Sequence, residues 1–302
     1  MTQPPLVAPA ARQGPGPMPQ GLVEALDLVV ARRVGGALPG DRLGSGVGAG
    51  TEIAQLRPYE VGDDVRQIDP AATARTGEPH VRTHVPERTL STWLVVDVSP
   101  SMAFGSASRL KSDVAEGVAQ VVARLAVRRA GRVALMTFGQ GRPRLLPPRA
   151  SRPGIVSVMR ALGEGVVPDG SADPSAMSTA LVRLGKVARQ AGLVVIISDF
   201  RDQDDWTRPL GALSAHHSVL AVEVRDPREG ELPDAGHLAL VDPETGELIQ
   251  VDTSRPGVRR HFAELEAEDR ARVARELRRL QVEHVVVSTD GDWLRQLGRR
   301  LR

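Results

Sequence analysis

The 302-residue sequence predicts an α/β protein with a doubly wound, mostly parallel sheet. Two apolar runs, residues 93–96 and 193–197, are too short for helices and are bounded by polar residues, the pattern of strands buried on both faces. Segments with apolar residues three and four apart alternate with such runs over about 200 residues, as a parallel sheet with crossover helices requires. Both runs stop abruptly at a carboxylate, Asp97 and Asp199. Adjacent strands ending this way would gather their acids at the carboxyl edge of the sheet, where open α/β sheets bind ligands.

Residues 1–19, rich in Pro, Gly, Ala and Gln, read as a disordered tail. Leu22, Leu26, Val29 and Val30 fall on one face of a helix over 21–33 that Gly35-Gly36 ends, and a Gly-rich loop fills 37–50. Residues 51–92 are polar and non-periodic, with turns at Gly62-Asp63 and Thr76-Gly77 and a strand where Val81, Thr83 and Val85 alternate. Residues 20–90 are thus expected to form an N-terminal extension packed on the core. His80 and His84 would share a strand face, but no further metal ligand stands nearby.

The core domain is expected over 91–302. Leu110, Val114, Val118, Val121, Val122 and Leu125 predict a helix over 108–129. Strands follow at 132–138 and, shorter, at 144–146; helices at 151–162 and 174–190 flank a loop at 163–171. After the strand at 193–198 come a helix at 204–215 and a strand at 218–224. A β-hairpin insertion at about 226–256 breaks the alternation, its strands 238–241 and 248–251 flanking the turn Asp242-Pro243-Glu244-Thr245-Gly246-Glu247. A long helix at 258–281, with Glu266/Arg270 and Glu268/Arg272 spaced for ion pairs on a solvated face, precedes a last strand at 285–288 and a helix at 292–301.

Composition narrows the chemistry. The absence of Cys excludes disulfides, thiolate metal sites and Cys nucleophiles. No apolar run reaches the roughly 20 residues of a membrane span, and no secretory signal pattern opens the chain, so a cytoplasmic location without membrane insertion is expected. Net charge is only +2, and Arg270, Arg272, Arg275, Arg278 and Arg279 are interleaved with Glu and lack aromatic neighbours, which argues against nucleic acid.

Asp97, Ser99 and Ser101 alternate, so an extended backbone would turn them the same way. Such hard oxygen groups suit a hard divalent cation, Mg²⁺ above all; they equally suit the cap of a following helix. The matching strand end at Asp199 favours the cation. An alternative is a Mg²⁺-dependent phosphatase or hydrolase using Asp97 as nucleophile or base. Against it, Ser99 stands where an aspartyl phosphotransferase carries a second Asp, and no Lys lies near the motif to steady a phosphate, Lys111 falling in the next helix. No Gly-rich loop ends in Gly-Lys-Ser or Gly-Lys-Thr, and none of the seven His sits in a recognisable base motif.

Two motifs carry a family resemblance. One is Arg57-Pro58-Tyr59-Glu60-Val61-Gly62-Asp63-Asp64-Val65-Arg66-Gln67-Ile68-Asp69, continuing to Ala74-Arg75-Thr76-Gly77; the other is Asp97-Val98-Ser99-Pro100-Ser101-Met102. Over residues 20–302 the chain resembles the bacterial domain of unknown function 58 family, with a von Willebrand factor A-like, Rossmann-type domain whose second motif resembles a metal-ion-dependent adhesion site. Asp226-Pro227-Arg228-Glu229-Gly230-Glu231-Leu232 is similar to the family's later region. The resemblance implies that Ser99 and Ser101 ligate Mg²⁺ directly while Asp97 and Asp199 act through water. A loop Thr normally completes the set. Here residues 169–175 hold none, leaving Ser171 or Asp173 as substitutes; Pro70 likewise replaces the family's common Trp. The resemblance further implies an open coordination position for a partner's carboxylate, and a non-enzymatic adaptor role beside a MoxR-type AAA+ ATPase in chaperoning or assembly.

Overall fold

The computed structural model describes residues 6, 53–84, 90–106, 108–140, 142–201 and 205–300. The expected tail, the helix at 21–33 and the loop at 37–50 lie outside the described residues, Leu6 excepted. The chain divides into two compact units, residues 40–89 and the remainder.

In the smaller unit β1 (Ile53–Pro58) pairs antiparallel with β2 (His80–His84), and a short helix α1 (Pro70–Thr76) lies between them in sequence. Asp69 caps α1, its carboxylate accepting from Ala72 N–H at 2.9 Å; Pro70 presets the first turn, and Gly77 ends the helix at φ 81°. Arg57 grips Asp63 at 2.6 Å, and the same carboxylate accepts from Glu60 N–H at 2.9 Å, closing the turn at Gly62. The sequence reading anticipated neither β1 nor α1, because α1 buries only Ala72 and so leaves no apolar period to read.

In the larger unit the strands are β3 (Ser91–Asp97), β4 (Arg132–Phe138), β5 (Arg144–Ala150), β6 (Leu193–Ser198), β7 (Ser218–Arg225), β8 (His237–Val241), β9 (Leu248–Asp252) and β10 (Glu283–Ser288). The helices are α2 (Lys111–Arg128), α3 (Ser151–Leu162), α4 (Ala176–Val187), α5 (Thr207–Ser214), α6 (Pro256–Arg279) and α7 (Trp293–Arg300). Six strands form one sheet in the order β10-β7-β6-β3-β4-β5, parallel except for β5; β8 and β9 make a separate antiparallel hairpin.

Strand alternation builds both cores. Leu94, Val96, Val195 and Ile197 face one way, against Val114, Val118 and Val121 of α2, Val158 of α3 and Trp293 of α7. Trp93, Val95, Val194 and Ile196 face the other, against Met177 and Leu181 of α4, Leu210 of α5 and Val273 and Leu277 of α6. Helices therefore cover both faces, which is the doubly wound arrangement. Gly117 of α2 lets Trp293 approach, since a Cβ there would meet the indole at 2.5 Å.

Several boundaries differ from expectation. The strand expected at 144–146 runs to Ala150 through Pro147-Pro148; an edge strand tolerates residues without an N–H, and β5 is the antiparallel edge. The helix expected from 108 starts at Lys111, because Leu110 is extended and its N–H is capped by the Asp113 carboxylate at 3.1 Å; residues 100–103 form a separate tight helical turn before it. The helices expected at 174–190 and 204–215 span 176–187 and 207–214.

Candidate functional site

The site forms where β3 and β6 end. These strands pair in parallel up to Val96 and Ile197, placing Asp97 beside Ser198. Asp97 is buried, with both oxygens engaged: Ser99 N–H donates to Oδ1 at 2.8 Å and Ser198 Oγ–H to Oδ2 at 2.6 Å. Ser198 Oγ in turn accepts from Phe200 N–H at 2.9 Å. Phe200 adopts a left-handed φ of 57° and is anchored edge-on to Trp206, with ring centroids 5.5 Å apart. That conformation is costly for an aromatic residue and is sustained by this burial.

Beyond Asp97 the chain enters the turn 100–103, with Pro100 at its first position and Met102 buried beneath. The Ser99 and Ser101 hydroxyls lie 3.1 Å apart. Gly139 supports them from below: any Cβ there would lie 2.7 Å from Ser99 N, and its φ is 138°.

Asp199 follows Val195 and Ile197 on the face that α2 covers, and Lys111 at the start of α2 reaches it. The Lys111 ammonium, fully buried, donates to Asp199 Oδ2 at 2.6 Å and to Glu229 Oε1 at 2.5 Å. The expectation that no lysine lies near the motif is thereby corrected: helical phase carries Lys111 back over the strand ends. Its two carboxylate bonds leave it committed to this cluster.

Behind Asp199 runs an ion network. Arg270 Nη1 donates to the Asp199 carbonyl at 3.0 Å and to Glu223 at 2.9 Å, while Nη2 reaches Glu229 at 3.3 Å. Glu223 also accepts from Arg225 at 2.7 and 2.9 Å and contacts His284 at 2.9 Å. Arg201 pairs bidentately with Glu266 at 3.1 and 2.8 Å. Glu266 and Arg270 were expected on a solvated face; their side chains are only 18% and 13% exposed, because both are drawn in by the strand-end charges. Arg272 pairs with Asp269 at 2.6 Å rather than with Glu268. A third strand-terminal acid, Asp226 after β7, accepts from Ser106 N–H at 2.8 Å and Thr289 Oγ1 at 2.6 Å, tying neighbouring loops together.

The hairpin brings an acid that the sequence reading did not single out. Glu244, in the turn between β8 and β9, accepts from Ser101 N–H at 3.0 Å through Oε1. Asp242 shapes that turn by accepting from Glu244 N–H and Thr245 Oγ1, each at 2.9 Å, and Gly170 N–H holds Pro243 O at 2.9 Å. The loop before α4 thus runs alongside: Val167 N–H bonds Val98 O at 2.7 Å and Asp173 N–H bonds Gly139 O at 3.2 Å. The Asp173 carboxylate instead accepts from Ser175 N–H at 2.9 Å and Ser175 Oγ at 2.8 Å. Among the described residues, no hydrogen bond joins the side chain of Ser171 or Asp173 to Asp97, Ser99, Ser101 or Asp199.

The electrostatics divide the acids. Burial, reinforced by the charge of Asp199, pushes Asp97 up to about 7 despite its bonds from Ser198 and Ser99. Burial also acts to raise Asp199, but the Lys111 charge and hydrogen bond, with Arg201 and Ser101, outweigh it and hold Asp199 below the usual carboxylate range. Burial raises Glu244, and the charges of Asp199 and Asp242 add to that against the hydrogen bonds of Ser101. Burial opposes ionisation of Glu223 too, yet His284, Arg225 and Arg270 pull it down to about 2. Among the described residues, neither Asp97 nor Glu244 has a cationic side chain within ion-pair distance.

A doubly wound, mostly parallel sheet with acids and hydroxyls gathered at its carboxyl edge defines an α/β domain of the kind that binds its ligands at that edge. Residues 55–272 match the model of the family described as "Protein of unknown function DUF58", and the chain belongs to that family. The uncharacterized protein Rv1480 of Mycobacterium tuberculosis is 39% identical over 279 residues, covering 92% of this chain and 87% of its own. Among solved structures, BatB from Bacteroides thetaiotaomicron superposes with a TM-score of 0.42 at 13% identity, covering 70% of this chain and 97% of that one. A von Willebrand factor type A protein from Catenulispora acidiphila gives a TM-score of 0.39 at 12% identity, with 72% and 43% covered. Among the described residues no helix is long and apolar enough to cross a membrane.

Proposed function

We propose that this chain is a non-enzymatic protein-interaction module whose docking edge is the Asp97–Ser101 turn, with Mg²⁺ held between the Ser99 and Ser101 hydroxyls. The observation that carries the reading is that two acids brace one turn around the hydroxyl pair: Asp97 accepts from Ser99 N–H, Glu244 accepts from Ser101 N–H, and the two hydroxyls lie 3.1 Å apart. Among the described residues no group of three or more His, Asp or Glu side chains is placed to hold a metal ion, and the donors of this reading are the two hydroxyls. Two oxygens 3.1 Å apart match adjacent ligands of an octahedron with metal–oxygen distances of about 2.1 Å, whose edge is about 3.0 Å. Ser99 and Ser101 would hold the ion directly. Asp97 fixes the turn through Ser99 N–H, and Lys111 positions Asp199. Bound mainly by neutral hydroxyls, the ion would supply an electrophilic docking point for a carboxylate.

Hydrolysis is the weaker reading. Both Asp97 oxygens accept hydrogen bonds and the side chain is buried, so the carboxylate is engaged in holding the turn and the end of β6. The partner implied by the family resemblance is a MoxR-type AAA+ ATPase. Co-purification of the full chain with such an ATPase encoded in the same genome tests the role. Recovery should depend on Mg²⁺ and fall when Ser99 and Ser101 are both changed to Ala; recovery unchanged by EDTA and by the double substitution would overturn it.

A further inference from the structure

The hairpin turn ends on Ser101, one of the two hydroxyl residues of the proposed docking edge, through its backbone N–H. Glu244 and Ser101 are 143 residues apart in sequence, and their bond depends on the turn being docked on the loop at Gly170. Two further features show a built contact. Asp242 accepts from both Glu244 N–H and Thr245 Oγ1, which fixes the turn that presents Glu244. Gly170 and Gly246 meet backbone to backbone, each with a positive φ (68° and 75°), and a Cβ on either would lie 3.6 Å from the other loop. By contrast, Glu247 in the same turn is exposed. The strands that carry this turn form their own two-stranded sheet, hydrogen-bonded to no strand of the main sheet, so the turn can leave without breaking that sheet.

We propose that Glu244 is a built-in carboxylate ligand of the Ser99–Ser101 site, so that the β8–β9 hairpin acts as a stopper that an acidic side chain of a partner protein must displace. The occupant chemistry is read from the contact itself: the edge offers an N–H and two hydroxyls, and the group that fills it is a carboxylate. A ligand tethered in the same chain competes at an effective concentration in the millimolar range, so the closed site would reject weak acidic ligands and admit only those that also unseat the turn. This inference rests on the proposed docking edge, but the contact can be tested without the metal.

The experiment uses the full chain as wild type, Glu244→Ala, Glu244→Gln and, as a control in the same turn, Glu247→Gln. Amide exchange at Ser101 is followed in EDTA, and Mn²⁺ binding is followed by calorimetry. In EDTA, Glu244→Ala should speed Ser101 exchange at least tenfold while Leu94 and Val195 in the sheet stay protected, and Glu247→Gln should match wild type. With Mn²⁺, Glu244→Gln should weaken binding at least tenfold because it removes the charge and keeps the shape. Ser101 exchange unchanged by Glu244→Ala overturns the stopper. Equal Mn²⁺ affinity in Glu244→Gln and wild type overturns Glu244 as a ligand. If the wild type binds no Mn²⁺ the metal reading fails, and the stopper then stands or falls on the exchange result.

Discussion

Replacing Asp97 by Asn should stabilise the metal-free protein at pH 8. In the fold Asp97 titrates near 7, against an ordinary value of 3.8, because burial and the neighbouring Asp199 charge disfavour its anion. Between those values the folded chain holds a proton that the unfolded chain has released, so stability falls as pH rises from about 4 to about 7 and then levels off. Three pH units at about 1.4 kcal/mol each amount to about 4 kcal/mol lost at pH 8. Asn abolishes that loss and keeps Oδ1 as acceptor for Ser99 N–H. Its NH₂ must face the Ser198 hydroxyl, which already accepts from Phe200 N–H, and the strained bond costs about 1–2 kcal/mol. The net gain is about 2 kcal/mol, or several degrees in Tm. Urea unfolding in EDTA at pH 5 and pH 8 measures it: the variant should gain only at pH 8 and be marginally weaker at pH 5. A variant less stable than wild type at both values, or displaced equally at both, would refute the reasoning.

Removing Lys111 as Lys111→Met should destabilise the fold by about 3–5 kcal/mol, because Asp199 and Glu229 are left buried without their shared cation; chemical unfolding checks it. Glu223 has the opposite pH signature to Asp97. Its folded value of about 2 lies below the ordinary 4.5, so its contribution, about 3 kcal/mol, is complete above pH 5 and is lost as pH falls toward 2; Glu223→Gln should flatten that part of the stability profile. Gly117→Ala should cost about 1–2 kcal/mol, since overpacking against the buried Trp293 ring outweighs the roughly 1 kcal/mol gained in helix propensity; a Trp293→Leu background should remove most of that cost.

What could be read in advance follows the physics of each element. β3 and β6 were legible because strands buried on both faces must be continuously apolar, and a carboxylate that interrupts such a run at its end stands out. Asp97, Ser99, Ser101 and Asp199 could therefore be singled out in advance and Ser198 could not, although its hydroxyl is what binds β6 to Asp97. β5 was cut short because Pro147-Pro148 argue against a strand until its edge position is known. Glu266 and Arg270 were placed in solvent because their spacing satisfies a surface ion pair equally well; only the tertiary fold shows them turned toward Asp199, Glu223 and Glu229. One local signal could have marked Lys111, since a lysine in the first turn of a helix opposes the helix dipole and needs another reason to be there. Glu244 gave none: an acid in a tight polar turn is the commonest of surface features, and its contact with Ser101 exists only once the hairpin folds back over the sheet edge.

Calorimetric titration of the full chain with Mg²⁺ at pH 6 and pH 8, each in two buffers of different ionisation enthalpy, tests the central claim most directly. The account predicts saturable binding of one ion, with a proton released at pH 6 as Asp97 is forced into its anion and little release at pH 8, where Asp97 is already ionised. Absence of saturable binding, or binding that persists unchanged when Ser99 and Ser101 are both Ala, would contradict it.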